Sequence, residues 1–287
     1  MRTCRFDSCP GHSSPRPVHF GELAVGVLGY LYRMFLPALS RARRSGRKLL
    51  AVLIDPDKTG PRALEQLGQY AAQGHVDYFL WGGSLVHQPE SERHLRYLKE
   101  RTAVPVLLFP GSVYQLDAQA DGLLLLSLIS GRNPELLIGH HVTVAGRIKQ
   151  MGLATIPTGY LLIDGGKPTS VSYMSNTAPI PADKPAIAAA TALAGQQLGL
   201  QLIYLDAGSG ALRAVSPAVI RAVREEIELP LVVGGGIRSL DGARQALQAG
   251  ADLLVVGNGL ERDHRWLPEL AELVHGGGVT ATTVQNR

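Results

Sequence analysis

The feature that most constrains this chain is a design it uses three times, a short apolar run ending in glycines. Leu202 to Leu205 read as a buried strand; Asp206 stands where that strand ends, and Gly208, Ser209 and Gly210 follow. Such a turn can offer successive backbone N–H groups to an anion, so a carboxylate is set beside an expected phosphate cradle. Leu231-Val-Val-Gly-Gly-Gly-Ile237 and Leu253-Leu-Val-Val-Gly-Asn-Gly259 repeat the design. Three such strand ends converging on one phosphate predict a barrel.

From residue 47 onward the punctuation is regular. Strands are expected at Leu49–Ile54, Tyr78–Trp81, Val106–Phe109, Gly122–Leu128, Ala154–Ile163, Leu202–Leu205, Leu231–Val233 and Leu253–Val256. Helical patterns fall between them at Pro61–Gln73, Ser91–Arg101, Pro134–Gln150, Pro185–Leu198, Pro217–Glu226 and Leu240–Ala249. Proline near several starts suits a first helical turn, where its missing N–H removes no bond. The link Val113–Ala120 is too short for a helix. Continuously apolar strands alternating with helices predict an α/β fold, a single (β/α)₈ TIM-type barrel over 34–287, with an open doubly wound sheet as the rival. With 287 residues and 45% hydrophobic content the chain can bury such a core.

Residues 1–33 mix prolines, glycines and serines without period and read as a disordered or loosely attached extension. Met34 is a candidate alternative start. Cys4, Cys9, His12 and His19 match no tight zinc spacing, and two cysteines require no oxidising compartment. The net charge of +4 draws on Arg41, Arg43, Arg44, Arg47 and Lys48, a local run read as a solvated helix face rather than a nucleic-acid surface. No apolar run reaches the roughly 18–20 residues of a membrane span, and no cleavable leader is evident, so the cytoplasm is expected.

In a barrel of this kind chemistry belongs at the carboxyl ends of the strands. Those ends deliver Asp55-Pro-Asp57-Lys58, Gly82-Gly83-Ser84, Pro110-Gly111-Ser112, residues Ser127 to Asn133, Tyr204 with Asp206, Gly234–Gly236 and Gly257–Gly259. Asp55-Pro-Asp57 alone could be a capped turn, but hard oxygens facing a phosphate site suit Mg²⁺. Asp206 alone could cap the following helix; between an aromatic strand and a glycine turn it is the better candidate for a base.

The motifs Leu53-Ile-Asp-Pro-Asp-Lys58, Trp81-Gly-Gly-Ser84, Leu108-Phe-Pro-Gly-Ser112, Tyr204-Leu-Asp-Ala-Gly-Ser-Gly210, Val233-Gly-Gly-Gly-Ile-Arg238 and Gly257-Asn258 resemble, in the same order, the geranylgeranylglyceryl phosphate synthase family. Ile156-Pro-Thr-Gly-Tyr160, Ser175-Asn-Thr177 and Asp183-Lys-Pro185 also look like that family's fifth strand and the approach to its next helix. The resemblance implies a TIM-type barrel that joins sn-glycerol 1-phosphate to a polyprenyl diphosphate with Mg²⁺, releasing pyrophosphate. It implies Mg²⁺ near Asp55 and Ser84. It also implies glycerol phosphate on Tyr204, Leu205, Asp206, Ala207, Gly208, Ser209 and Gly210, with the phosphate on Gly235, Gly236, Gly257 and Asn258. The family commonly has Glu where this chain has Asp206, which keeps the charge but draws it back by about one methylene. A homo-oligomer is expected by analogy, as is a transient membrane-surface contact for product release.

The chemistry that follows assigns Asp206 as base for the C3 hydroxyl, Tyr204 as its orienting partner, and Asp55 with Mg²⁺ as the site that neutralises the departing pyrophosphate, assisted by Lys58. For the prenyl chain, the alanine-rich stretch Ala186–Ala194 and the loop Gly165–Pro185 are candidate walls, with ordinary helix packing the rival reading. A C20 donor is expected; a longer one such as heptaprenyl diphosphate, another phosphate-binding barrel enzyme, and a non-catalytic phosphate-ligand sensor are the alternatives.

Overall fold

The structure, a computed structural model, describes residues 35–87, 91–257 and 264–276. The N-terminal extension, Met34, Cys4, Cys9, His12 and His19, and at the other end Asn258 and Gly259, lie outside the described residues. Eight parallel strands close into a barrel in chain order: β1 (Leu49–Ile54), β2 (Tyr78–Trp81), β3 (Val106–Leu108), β4 (Gly122–Leu128), β5 (Thr155–Leu162), β6 (Leu202–Asp206), β7 (Leu231–Gly234) and β8 (Leu253–Val256). Pairing of Leu49 with Leu253 and of Val52 with Val256 closes the ring, which excludes the open doubly wound sheet.

Around it stand α1 over 35–44, α2 (Pro61–Ala72), α3 (Ser91–Lys99), α4 (His140–Met151), α5 (Ser170–Ser175), α6 (Pro185–Gln197), α7 (Pro217–Glu226), α8 (Leu240–Gln248) and α9 (Leu267–Gly276). Proline opens α2, α6 and α7, and the Ser216 and Ser239 hydroxyls accept N–H groups in the first turns of α7 and α8. No helix follows β3, as the short link predicts. The helix expected over Pro134–Gln150 is instead a π-turn, Glu135–Gly139, running into α4. Ser127 Oγ donates to the Leu137 carbonyl at 3.2 Å inside that turn. The short α5 and the terminal α9 were not read from the sequence.

Successive strand residues alternate between two apolar layers. Leu202, Tyr204, Ile156 and Tyr160 fill the barrel axis, whereas Ile203, Leu205 and Leu161 pack outward beneath the helices. At the amino-terminal end α1 seals the axis with Phe35 and Leu39, and the Phe35 ring meets Tyr78 edge-on at 4.7 Å. That docking corrects the reading of the basic run. Arg41, Arg44 and Arg47 are exposed, the last while paired with Asp77 at 2.9 Å, but Lys48 Nζ donates to the Ala251 carbonyl at 2.7 Å and Arg43 donates to the Glu228 carbonyl.

Candidate active site

The carboxyl ends of the strands surround a cavity of about 540 Å³. Inward-facing parity along β6 carries Tyr204 and then Asp206 to its wall, both buried. Register sets Tyr160 on β5 opposite Tyr204, two residue pairs below Leu162 and Asp206. The Tyr160 hydroxyl donates to Asp206 Oδ2 at 2.6 Å, and the Gly208 N–H donates to Asp206 Oδ1 at 2.7 Å. Burial pushes the Asp206 carboxyl above its ordinary range, against the opposing pull of these two hydrogen bonds. Burial likewise drives the Tyr160 and Tyr204 phenols well up, with the Asp206 charge adding to it, so both rings stay protonated. Two hydrogen bonds leave carboxylate lone pairs facing the cavity, the condition for accepting a proton from a bound hydroxyl.

Phe109, Tyr160 and Tyr204 form a triangle of rings beside this carboxylate. Phe109 stacks on Tyr204 at 5.2 Å, and Tyr160 meets Tyr204 edge-on at 5.5 Å. Close packing explains two glycines in β7 and its turn. A Cβ at Gly234 would lie 2.5 Å from the Tyr204 hydroxyl, and one at Gly235, whose φ is +76°, would overlap Asp206 Oδ1.

The expected phosphate residues divide. Ser209, Gly210, Gly235, Gly236 and Gly257 line the cavity. Leu205 and Ala207 do not, since their side chains belong to the outer layer, and the Ala207 N–H is engaged by the Gly234 carbonyl at 3.2 Å. The Gly208 N–H is taken by Asp206, so the anion cradle expected across the whole turn narrows to its later residues. Arg238, unassigned by sequence reasoning, lines the same wall, its guanidinium donating to the Ala211 carbonyl at 2.6 Å. Tyr160 was also missed. Its signal was available in the inward parity of β5, but its partner is 46 residues away.

Across the mouth, Asp55, Asp57, Lys58, Gly83 and Ser84 line the opposite wall. Asp55 Oδ1 accepts the Asp57 N–H at 3.1 Å, and Lys58 pairs with Asp55 Oδ2. The Asp57 carboxylate is turned to the His87 N–H at 2.9 Å. Among the described residues no three His, Cys, Asp or Glu side chains gather as a metal cluster. One carboxylate beside a hydroxyl, with no sulfur or imidazole donor, suits a Mg²⁺ ion that takes its other ligands from a bound phosphate group and water.

From the aromatic triangle the cavity continues as an apolar passage. Leu136, His141, Val144 and Ile148 border it on one side and Leu123 and Leu125 on the other. His141 Nε2 is hydrogen-bonded to the Leu126 carbonyl at 2.8 Å, which pins the start of α4 against β4. Val171 and Met174 of α5 close the passage near the mouth, so part of the predicted loop wall is present. The alanines of α6 are not. Ala188 and Ala192 are fully buried in the outer layer, where small side chains let α6 approach the sheet.

Known proteins bear directly on this geometry. The sequence profile of the PcrB family matches residues 43–275. The chain belongs to the PcrB family. Geranylgeranylglyceryl phosphate synthase of Spirosoma linguale is 53% identical over 230 residues, 80% of this chain and 92% of that protein. The synthase of Thermococcus kodakarensis is 42% identical over 216 residues, 75% of this chain and 85% of its own. The crystal structure of (S)-3-O-geranylgeranylglyceryl phosphate synthase from Thermoplasma acidophilum in complex with its substrate sn-glycerol-1-phosphate superposes with a TM-score of 0.79 at 31% identity, covering 85% of this chain and 99% of that one. The resemblance read from the motifs therefore holds, and the PcrB-family match stops short of residues 1–42.

Proposed function

We propose that this chain joins the C3 hydroxyl of sn-glycerol 1-phosphate to geranylgeranyl diphosphate, giving geranylgeranylglyceryl phosphate and pyrophosphate. The observation that carries the proposal is the buried Asp206 carboxylate, held by Tyr160 and an amide at the junction of a glycine-lined wall and an apolar passage. The names of the relatives at 42–53% identity support it.

The glycerol phosphate rests its anion on Ser209, Gly210, Gly235, Gly236 and Gly257, with Arg238 beside them, so its hydroxyl is delivered to Asp206. The hydroxyl oxygen attacks C1 of the prenyl chain, the bond from C1 to the diphosphate oxygen breaks, and the hydroxyl proton passes to Asp206. An upward-shifted carboxyl is the stronger base, which improves proton removal at neutral pH. The faces of Phe109, Tyr160 and Tyr204 stabilise positive charge developing on the allylic carbon. Tyr204, assigned from sequence as an orienting partner, contributes through this ring cluster. Asp55, Ser84 and Lys58 hold the diphosphate end, with Mg²⁺ bound at Asp55 and Ser84; that ion supplies Lewis-acid neutralisation of the departing pyrophosphate. The tail lies in the passage along β4 and α4.

Leu85, Tyr114, Ile138, Val142, Tyr173 and Met174 are exposed apolar side chains on the loops and first helical turns around this mouth. They support product release at a membrane surface, which vesicle co-sedimentation with and without product would check. Among the described residues no helix is long and apolar enough to cross a membrane. A homo-oligomer, on the strength of the resemblance, and the cytoplasm, as expected from the sequence, complete the proposal. The deciding experiment is transfer from labelled sn-glycerol 1-phosphate to C15, C20 and C35 donors with and without Mg²⁺. Preferred use of the C20 donor, requiring Mg²⁺, is expected. Preference for the C35 donor would move the assignment to a longer product, and glycerol phosphate binding without transfer from any donor would leave a sensor.

A further inference from the structure

We propose that Gln115 is the positioning residue for the donor's diphosphate, holding the Gly83–Ser84 turn in place from outside the cavity. The inference rests on the reading of the β1–β2 wall as the diphosphate side. The segment between β3 and β4 has no helix to order it, so its shape depends on individual side-chain bonds. Gln115 supplies three of them from one amide. Its Oε1 accepts the Gly111 N–H at 3.1 Å and the Gly83 N–H at 3.4 Å, while its Nε2 donates to the Gly83 carbonyl at 2.9 Å. Gly83 is thus gripped on both its N–H and its C=O, as a neighbouring strand would grip it, just beyond the point where β2 and β3 stop pairing.

The two turns are in backbone contact. A Cβ on Gly111 would overlap the Gly83 carbonyl and come within 2.8 Å of Ser84 Cα. Gly83 in turn backs onto Asp55, because a Cβ there would meet the Asp55 carboxyl carbon at 3.4 Å. A displacement of the Gln115 amide therefore reaches Ser84 and Asp55 through one glycine. The acceptor wall on β6–β8 shares none of these bonds. Only an amide satisfies all three groups at once; a carboxylate keeps the two accepting bonds but sets negative charge against the Gly83 carbonyl oxygen, and a thioether makes none of the three.

The test measures binding to the full-length protein by calorimetry, with inorganic pyrophosphate plus Mg²⁺ as one probe and sn-glycerol 1-phosphate as the other. Wild type is compared with Gln115→Met and Gln115→Glu, alongside KM for each substrate. Gln115→Met is expected to weaken pyrophosphate binding and raise the donor KM by about tenfold, and to leave glycerol phosphate binding and its KM within about twofold. Gln115→Glu is expected to bind pyrophosphate poorly at neutral pH and to approach wild type on acidification, as protonation restores a donor to the Gly83 carbonyl. Equal loss of both ligands in Gln115→Met would show a merely structural residue and overturn the inference. So would unchanged pyrophosphate binding. A wild-type protein that binds glycerol phosphate but no pyrophosphate with Mg²⁺ would overturn the diphosphate-side reading, and the inference with it.

Discussion

The two ends of the barrel use strand-end aspartates in opposite ways. At the amino-terminal end Asp77, Asp121 and Asp252 each stand one residue ahead of an even-numbered strand. Each accepts a backbone N–H from the preceding strand: Leu50 at 2.9 Å, Val106 at 2.8 Å and Leu231 at 2.9 Å. Every one of these carboxylates also has cations. Asp77 has Arg47, Asp121 has Lys99, and Asp252 has Arg224 at 3.1 Å with Lys48 at 3.8 Å. At the mouth, Asp206 is held by a phenol and an amide instead. Compensated charge at the floor ties strands together. Charge that burial leaves without a cation at the mouth raises proton affinity, so it is useful for chemistry and unfavourable for stability.

The sharpest way to break this contrast is to neutralise Asp206. Asp206→Asn should lower transfer by roughly 10²–10⁴-fold in a steady-state assay while the protein stays folded. Its stability should move the other way. Because the folded-state pKa of Asp206 lies above its ordinary 3.8, the native state binds the proton more tightly than the unfolded chain does. Wild-type stability from this group therefore falls as pH rises through the window above 3.8, and levels off above the folded pKa. Chemical denaturation across that range should show Asp206→Asn gaining on wild type with rising pH; a constant difference would mean that the carboxyl is not destabilised by burial.

At the floor the counterpart is Asp252→Ala, which strands Arg224 and Lys48 and leaves the Leu231 N–H without its acceptor. A loss of about 3 kcal/mol or more in unfolding free energy is expected, with turnover per folded molecule unchanged. A smaller effect comes from Tyr160→Phe, which removes one hydrogen bond from the ionised carboxyl and should reduce transfer by about tenfold. Since that bond holds the Asp206 pKa down, the acid limb of the pH–rate profile should shift to higher pH. Smallest of all, Lys99→Met at the more open Asp121 site should cost about 1 kcal/mol or less by thermal denaturation.

Strand and helix positions were legible because their causes are local. Apolar runs of four to eight residues, prolines in first helical turns and glycines at strand ends each act within one element, and β1, β2, β4, β8 and α7 run between the very residues read from the sequence. The barrel followed from their alternation, and Asp55, Ser84, Tyr204 and Asp206 followed from standing at strand ends. The π-turn before α4 escaped because nothing in Glu135–Gly139 departs from a helical pattern; its cause includes a bond from Ser127 on another element.

What only the tertiary structure decided is which neighbours those residues have. The sequence by itself placed a carboxylate after β6. The register of β5 against β6 decided that a tyrosine phenol would hold it, and the turn geometry decided that the Ala207 and Gly208 amides would be engaged internally. Likewise the basic run before β1 was plain in the chain, but the closed floor turned Arg43 and Lys48 from a solvated face into partners of neighbouring loops, while Arg47 stays exposed beside Asp77. Side-chain type and local pattern travel with the sequence. Burial and hydrogen-bond partners arise only when segments far apart in the chain close into one ring, and those determine what a carboxylate does.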